Sequence, residues 1–498
     1  MSPHDTSLPF SGASDPCAVF PLGCHKQPVA SASLLARPHI QMIKVFNHYL
    51  SIRLLLLTLL EAAVLFQSVI FGFQIRFPGE FSTLPKIEAG IFALVMVLCM
   101  SALGLYQTHG ESFRTTVHRL FIAYGLSLML ISVVFYLVPD AYIGRGVMAW
   151  SSLFALGSVL LIRVLFFRVT DIGLPKRRVL VLGNGTEAEG VIRFLHQSPG
   201  SRSIQYAGLY PVMPERDAQG NERVLDHDQL RRTAKELKVS EIVIAVRERR
   251  GGVLPLRQLL DAKLHGVKVM DLQSFYEREE GVLRIDSMRA SWMIFGNGFE
   301  QGMSRDVVKR LFDLIASVAL LLLAMPILLV AMAAIVLESG FPIFYRQQRV
   351  GQGGEPFDII KLRSMRQDAE ADGKARWATA NDSRVTRVGG FLRKTRIDEL
   401  PQLWSVVRGD MSFVGPRPER PVFVEQLTEK IPFYDVRHSV KPGVTGWAQV
   451  RYPYGATIED GLHKLQYDLY YVKNHSLFLD LMIMVETVQV VLLGKGAR

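Results

Sequence analysis

Four apolar runs dominate the first third of the chain, at about 54–75, 89–106, 118–138 and 147–167. Each is close to the roughly 20 residues that a helix needs to cross a bilayer, and the second is the shortest. Runs this long and closely spaced are hard to bury in a soluble core, so residues 42–170 are expected to form four transmembrane helices. The stretch before them, 1–41, is rich in Ser, Pro, Ala and His without periodicity and reads as a disordered tail. It does not read as a signal peptide, because no basic start leads into an apolar core.

Basic residues orient the spans. Lys44 and Arg53 precede the first, Arg114 and Arg119 separate the second from the third, and Arg168, Lys176, Arg177 and Arg178 follow the fourth. The two intervening loops carry only Arg76 and Lys86, then Arg145. Cytoplasmic loops carry the excess of Lys and Arg, so both ends of the four-helix unit are expected in the cytoplasm.

From residue 177 the period changes. Arg178–Gly183 is a short apolar run of the kind found in a buried parallel strand, and Tyr206–Tyr210, Glu241–Val246 and Val267–Met270 are further strand candidates. Helical patterns lie between them, so 177–272 is expected to be a Rossmann-like α/β domain with a small doubly wound sheet. Gly183–Ala188 (GNGTEA) fits the loose G-x-G-x-x-A pattern after the first strand. The ribose-binding acid expected about 20 residues on is missing, which favours a scaffold without a cofactor.

Residues 273–303 read as a connector. Leu314–Leu337 is then an unbroken apolar run of 24 residues with Pro326 at its centre. As a helix it would be roughly 36 Å long, enough to span. Proline at that point removes a hydrogen bond and bends the helix. Two readings stand: a fifth, kinked span, or a re-entrant helix over 305–337 that enters and leaves on one face. A full span would put 177–300 and 340–498 on opposite sides of the membrane.

Composition narrows the class. Of 498 residues, 49% are hydrophobic, which is high for a soluble protein and points to a membrane protein with soluble parts. That length suggests two or three domains. The net charge of +11 suits nucleic acid, an anionic lipid surface or phosphorylated substrates, and the apolar runs favour the last two. Neither a helix-turn-helix nor an aromatic RNA-binding pattern is present, so no nucleic-acid partner is expected. The three cysteines, Cys17, Cys24 and Cys99, have no zinc-ligand spacing and form no disulfide framework.

Candidate chemistry is concentrated after residue 340, in short blocks rich in Arg, Lys, Asp, Glu, Gly and Pro. Asp398 and Glu399 are neighbours, which on a helix points them about 100° apart and permits a division of labour. One carboxylate can attack phosphorus while the other holds Mg²⁺ beside substrate phosphates. The alternative is a helix cap followed by a first-turn acid, since Pro401 suits a helix start. Lys361, Arg363, Arg393, Arg396 and Arg417 are candidate phosphate ligands, and Arg417 is stiffened between Pro416 and Pro418. No G-x-x-x-x-G-K-[ST] loop is present. Trp447 suits base stacking, the membrane interface or the core. Leu477–Leu493 is apolar but holds Asp480 and Glu486, as an interfacial amphipathic helix would.

These blocks resemble the polyprenyl-phosphate sugar-1-phosphate transferases, the priming enzymes of bacterial exopolysaccharide and O-antigen assembly. The likeness is dense over 304–498: the Pro-broken run, KLRSM from Lys361, IDELPQL from Ile397, GDMSFVGPRPE from Gly409, PGVTGWAQV from Pro442 and DLYYVKN from Asp468. The four spans and Rossmann-like domain are similar to the larger members. The resemblance implies a mostly helical monotopic phosphoglycosyl transferase domain on the cytoplasmic face of the bacterial inner membrane. By that likeness Asp398 attacks the β-phosphorus of a UDP-sugar, expels UMP and leaves an aspartyl phosphosugar, which undecaprenyl phosphate then takes up. Glu399 would ligate Mg²⁺. Lys361 and Asp480 would be catalytic, Arg363, Arg393, Arg396 and Arg417 would bind phosphate, and Pro326 would break the helix. Met325 stands where relatives often have Ser. Glucose or galactose is the expected sugar, and a homodimer through the membrane or Rossmann-like parts is left open. A nucleotide-sugar oxidoreductase, suggested by GNGTEA, would want a Tyr-x-x-x-Lys pair, and this spacing is absent. A non-enzymatic membrane scaffold is the other rival.

Overall fold

The computed structural model describes residues 42–80, 84–107, 112–171, 176–197, 204–212, 228–246, 254–288, 290–296, 298–299, 302–369, 384–453, 455 and 457–492. The expected tail 1–41 lies outside them. The described chain opens with a hairpin that the hydrophobic pattern does not announce, β1 (Met42–Val45) and β2 (His48–Ser51). Phe46 and Asn47 both adopt positive φ, 45° and 67°, as a two-residue turn of matching twist requires.

Four helices follow: α1 (Ile52–Arg76), α2 (Lys86–Ala102), α3 (Phe113–Leu137) and α4 (Arg145–Asp171). They pack around Leu65, Phe92, Met96, Leu120 and Ile131. Their outer faces are apolar too, with Leu56, Leu94, Ile122, Met129 and Leu161 exposed. A helix apolar all round belongs in a core or in lipid, and among the described residues nothing covers these outer faces. Among the described residues four helices are long and apolar enough to cross a membrane: α1, α3, α4 and a later helix, Met303–Ser339. The 17-residue α2 is short of that length.

The next unit alternates strand and helix: β3 (Arg177–Gly183), α5 (Gly185–Gln197), β4 (Ile204–Tyr210), α6 (Asp228–Glu236), β5 (Glu241–Ala245), α7 (Leu256–Leu264) and β6 (Lys268–Asp271). All four strands are parallel, in the order β4-β3-β5-β6. Gly183 of the GNGTEA turn is required by packing, since a Cβ there would lie 2.1 Å from the Ala245 carbonyl oxygen. Helices α8 (Leu272–Glu279) and α9 (Ala290–Phe295) lead out of the unit.

Helix α10 (Met303–Ser339) runs 37 residues with Pro326 inside it. The hairpin β7 (Phe344–Val350) and β8 (Pro356–Leu362) comes next, followed by α11 (Arg387–Thr395), α12 (Gln402–Arg408), β9 (Ser412–Val414), α13 (Pro421–Lys430), β10 (Gly443–Thr445), α14 (Trp447–Arg451), α15 (Ile458–Asn474) and α16 (Leu477–Leu492). Near its start, α10 sends Arg310 to the Val406 and Val407 carbonyls that end α12, at 2.5 and 2.7 Å. Near its end, Leu328, Ala331 and Ile335 pack with Leu362 and Leu392. The Glu338 carboxylate accepts the backbone N–H groups of Arg387 and Val388 at 2.9 and 3.0 Å, capping α11. Both halves of α10 are therefore seated on the same group of elements.

Trp447 belongs to the core. It is 2% exposed, donates through Nε1 to the Gly281 carbonyl at 2.8 Å and stacks on Tyr470. The hairpin joins this cluster through His48, whose Nδ1 is 2.7 Å from the Tyr470 hydroxyl.

Candidate active site

Helix α11 begins at Thr386, whose hydroxyl accepts the Gly389 N–H, and ends at Arg396, which turns left-handed at φ 61°. That conformation costs a non-glycine residue on the order of 1 kcal/mol. It redirects the chain into a 3₁₀ turn, Ile397–Glu399, ahead of α12, which Pro401 caps. Asp398 and Glu399 thus sit on a bent junction between two helices.

The two carboxylates have different surroundings. Glu399 Oε1 accepts Lys361 Nζ and Arg417 Nη2, both at 2.8 Å, and Arg396 Nη1 lies 3.6 Å from Oε2. Burial alone would raise its pKa, but Arg417, Lys361 and Arg396 outweigh it and hold the carboxyl well below the usual range. Asp398 is 7% exposed, and its Oδ1 is a buried atom with no hydrogen-bond partner among the described residues. Burial, reinforced by the Glu399 charge and opposed by Lys361, Arg393 and Arg396, pushes it up to about 6. Burial also pulls the Lys361 ammonium below its ordinary value, with Glu399 acting against it. Two adjacent acids with pKa values driven apart suit two different roles.

The pair lines a cavity of about 900 Å³. Eleven Lys or Arg residues line it against four Asp or Glu, so it presents a cationic bed suited to phosphate. Of the expected site residues, Lys361, Arg363, Arg393, Arg396, Arg417, Asp398 and Glu399 are all brought to this cavity. Lys361 arrives on β8, Arg393 on α11 and Arg417 on the loop after β9. Arg363 also has a structural task, because its Nη2 donates to the Ser339 hydroxyl and to the Ser339 and Gly340 carbonyls, closing the end of α10.

Asp480 is not among the cavity residues. It lies on α16, 1% exposed, and accepts Lys309 Nζ at 2.7 Å and the Tyr471 hydroxyl at 2.8 Å. Lys309 and Tyr471 both also donate to the Val414 carbonyl. Asp480 therefore ties α16 to the strand that leads to Arg417. Pro326 is likewise outside the cavity lining.

Sequence reasoning missed the partners that hold Arg417. Arg437 Nη2 donates to its backbone carbonyl at 2.8 Å, while the same guanidinium pairs with Asp468 and with the Tyr434 hydroxyl. Asp468 opens the DLYYVKN block, but Arg437 lies in no block, and only folding brings the two together.

The sequence profile of a family described as bacterial sugar transferase matches residues 304–494. The UDP-glucose:undecaprenyl-phosphate glucose-1-phosphate transferase of Xanthomonas campestris pv. campestris is 30% identical over 475 residues, covering 91% of this chain and 96% of the relative. The chain belongs to the bacterial sugar transferase family. The Escherichia coli (strain K12) transferase of the same description is 32% identical over 70% of this chain and 76% of its own. The UDP-N-acetylgalactosamine-undecaprenyl-phosphate N-acetylgalactosaminephosphotransferase of Aeromonas hydrophila reaches 48% identity over 191 residues, 38% of this chain and 45% of the relative. As a sugar transferase, the chain has its shared core in the elements from α10 to α16, which build the cavity.

Among the described residues no group of three His, Cys, Asp or Glu is placed to hold a metal ion. Mg²⁺ takes one or two carboxylates plus substrate phosphates, so the Asp398–Glu399 pair and the orphaned Asp398 Oδ1 fit it only in company with a bound phosphate.

Proposed function

We propose that this sugar transferase moves a sugar-1-phosphate from a UDP-sugar to undecaprenyl phosphate and releases UMP. The observation that carries the proposal is the unequal carboxylate pair: a buried Asp398 with an unpartnered oxygen, beside a Glu399 clamped by Lys361 and Arg417. At neutral pH Asp398 is mostly ionised, and its raised proton affinity favours attack. Its carboxylate oxygen bonds to the β-phosphorus as the bond to the bridging oxygen breaks, and UMP leaves with that oxygen. A phosphate oxygen of undecaprenyl phosphate then attacks the same phosphorus and frees Asp398. Arg393, Arg396 and Arg417 hold the phosphate oxygens and stabilise charge that spreads onto them in each step. Mg²⁺, held by Glu399 and substrate phosphate oxygens, would neutralise phosphate charge.

Glucose is the first sugar to test, because the relative that spans nearly the whole chain is named for it. Support for a re-entrant α10 comes from its two halves resting on one body, which suits a cytoplasmic active site at the inner face of a bacterial membrane.

The test is UMP release by the purified full chain with Mg²⁺, undecaprenyl phosphate and UDP-glucose, UDP-galactose and their N-acetylated forms, comparing wild type with Asp398→Asn. UMP from one donor with wild type alone is the expected result. Equal UMP from both proteins would remove Asp398 as nucleophile, and none from any donor would remove the transferase reading.

A further inference from the structure

The wall of the cavity that faces the membrane elements is apolar. Leu320 of α10 and Val490 and Val491 of α16 contribute to it. Close by on the same helices, Leu322, Leu323 and Val488 are exposed, as side chains in contact with lipid are. A lipid-linked acceptor has its phosphate at the cationic bed and its hydrocarbon in the bilayer, so it must pass along α10 and α16.

One contact of α16 comes from the four-helix unit. Gln489 is 5% exposed and pairs with Gln107, the residue that follows the turn after α2. Gln107 Nε2 donates to Gln489 Oε1 at 2.7 Å, and Gln489 Nε2 returns a bond of 3.4 Å. Gly104, in the same turn at φ 75°, makes room: a Cβ there would come within 2.4 Å of Gln489 Nε2. The turn is itself fixed by an ion pair inside the helix bundle. Arg163 of α4 forms a two-pronged bond with Glu61 of α1, at 2.6 and 2.9 Å, and donates its remaining Nη1 to the Leu105 carbonyl at 2.8 Å. Tyr106 donates to Glu61 at 2.6 Å. Glu61 is fully buried and Arg163 is 3% exposed. Charges within a membrane-spanning bundle are costly to maintain and are kept where they do a specific task. Next to Gln489 in sequence, Val490 enters the cavity wall, and Thr487 is held to Thr445 of β10, another wall residue, at 2.6 Å.

We propose that the helix bundle braces the α16 wall through the Gln107–Gln489 pair and so sets how tightly the lipid acceptor binds. The inference rests on the transferase reading above. Gln489 is a positioning residue: it touches no substrate and acts through Val490 and Val491. The donor's phosphate ligands ride on β8, α11 and the loop after β9, which α16 meets through Asp480, nine residues before Gln489, so the brace should act on the second half of the reaction more than on the first.

The experiment compares wild type with Gln489→Leu, Gln107→Leu and the double variant, all full-length and reconstituted in lipid nanodiscs. Two quantities are read: the KM for undecaprenyl phosphate, and the burst of UMP released from UDP-sugar without acceptor. Loss of a buried hydrogen-bonded pair is expected to raise the acceptor KM about threefold to tenfold while the burst changes by less than about twofold. The double variant should match either single one, because the two changes break one interaction. An unchanged acceptor KM in both single variants would overturn the brace, and so would a burst that falls in step with turnover. If Gln489→Leu does not fold, seen as loss of the burst and of monodisperse protein, Gln107→Leu decides from the other side of the pair. Wild-type protein that releases no UMP would remove the transferase reading instead.

Discussion

The chemistry proposed for Asp398 comes with a cost in stability. An aspartate in the unfolded chain titrates near 3.9, whereas burial holds the folded one at about 6. Below about pH 4 both states are protonated and the residue contributes nothing. As pH rises the unfolded carboxyl ionises first, so a penalty builds up, complete above pH 6 and at most about 3 kcal/mol. Asp398→Asn should therefore abolish UMP release yet raise the thermal midpoint above pH 6, with no gain below about pH 4. Activity should fall on the acid side with a midpoint near 6, as the proposed nucleophile is protonated. Glu399→Gln removes the neighbouring charge that helps to raise Asp398, so what activity remains should have its acid limb moved to lower pH. It also leaves Lys361 and Arg417 without their shared partner, and kcat should drop by about a hundredfold or more. A pH–rate profile of the variant checks both effects.

Among the elements, α10 decides the geometry of the membrane side. Among the described residues its polar contacts lie toward its two ends, through Lys309, Arg310 and Asp313 at one and Glu338 and Ser339 at the other. The 24-residue run between is apolar apart from Ser317, with Pro326 at its centre. If both ends lie on one face, single cysteines at Gln197 and Glu355, in a chain whose Cys17, Cys24 and Cys99 are replaced, should be labelled by an impermeant maleimide only from the cytoplasmic side. Labelling from opposite sides would make α10 a full span. Arg363→Ala removes the guanidinium that closes the end of α10 and should lower stability by about 1–3 kcal/mol, read as a lower thermal midpoint in detergent.

At the scale of the whole molecule, the units are tied by buried polar contacts. Glu277 of α8 accepts Lys473 Nζ at 2.6 Å and Asn474 Nδ2 at 3.1 Å, so the end of DLYYVKN serves to dock the sheet-bearing unit. Glu277 and its Lys473 partner are almost fully buried. Removing one member of such a pair leaves an uncompensated charge, and Glu277→Ala should cost about 3–5 kcal/mol, measured by thermal unfolding. The hairpin before α1 adds a second tie through His48 and Tyr470, and Gln107 with Gln489 a third.

By itself the sequence determined the elements whose signal is local. The membrane helices were legible because their apolar runs are long, and the strands of the parallel sheet because short apolar runs alternate with helical ones. The site was legible in part, since Asp398, Glu399, Lys361 and Arg417 fall in dense charged blocks. What tertiary structure alone decided were properties of pairs distant in the chain. Which carboxylate holds its proton more weakly depends on Lys361 and Arg417 converging on Glu399, from 38 and 18 residues away. Asp480 is named by resemblance, but its partners Lys309 and Tyr471, which hold that carboxylate on α16, are visible only in the fold. Arg437 and Gln489 carry no local signal at all: a single polar residue acquires its role only when folding supplies a buried partner.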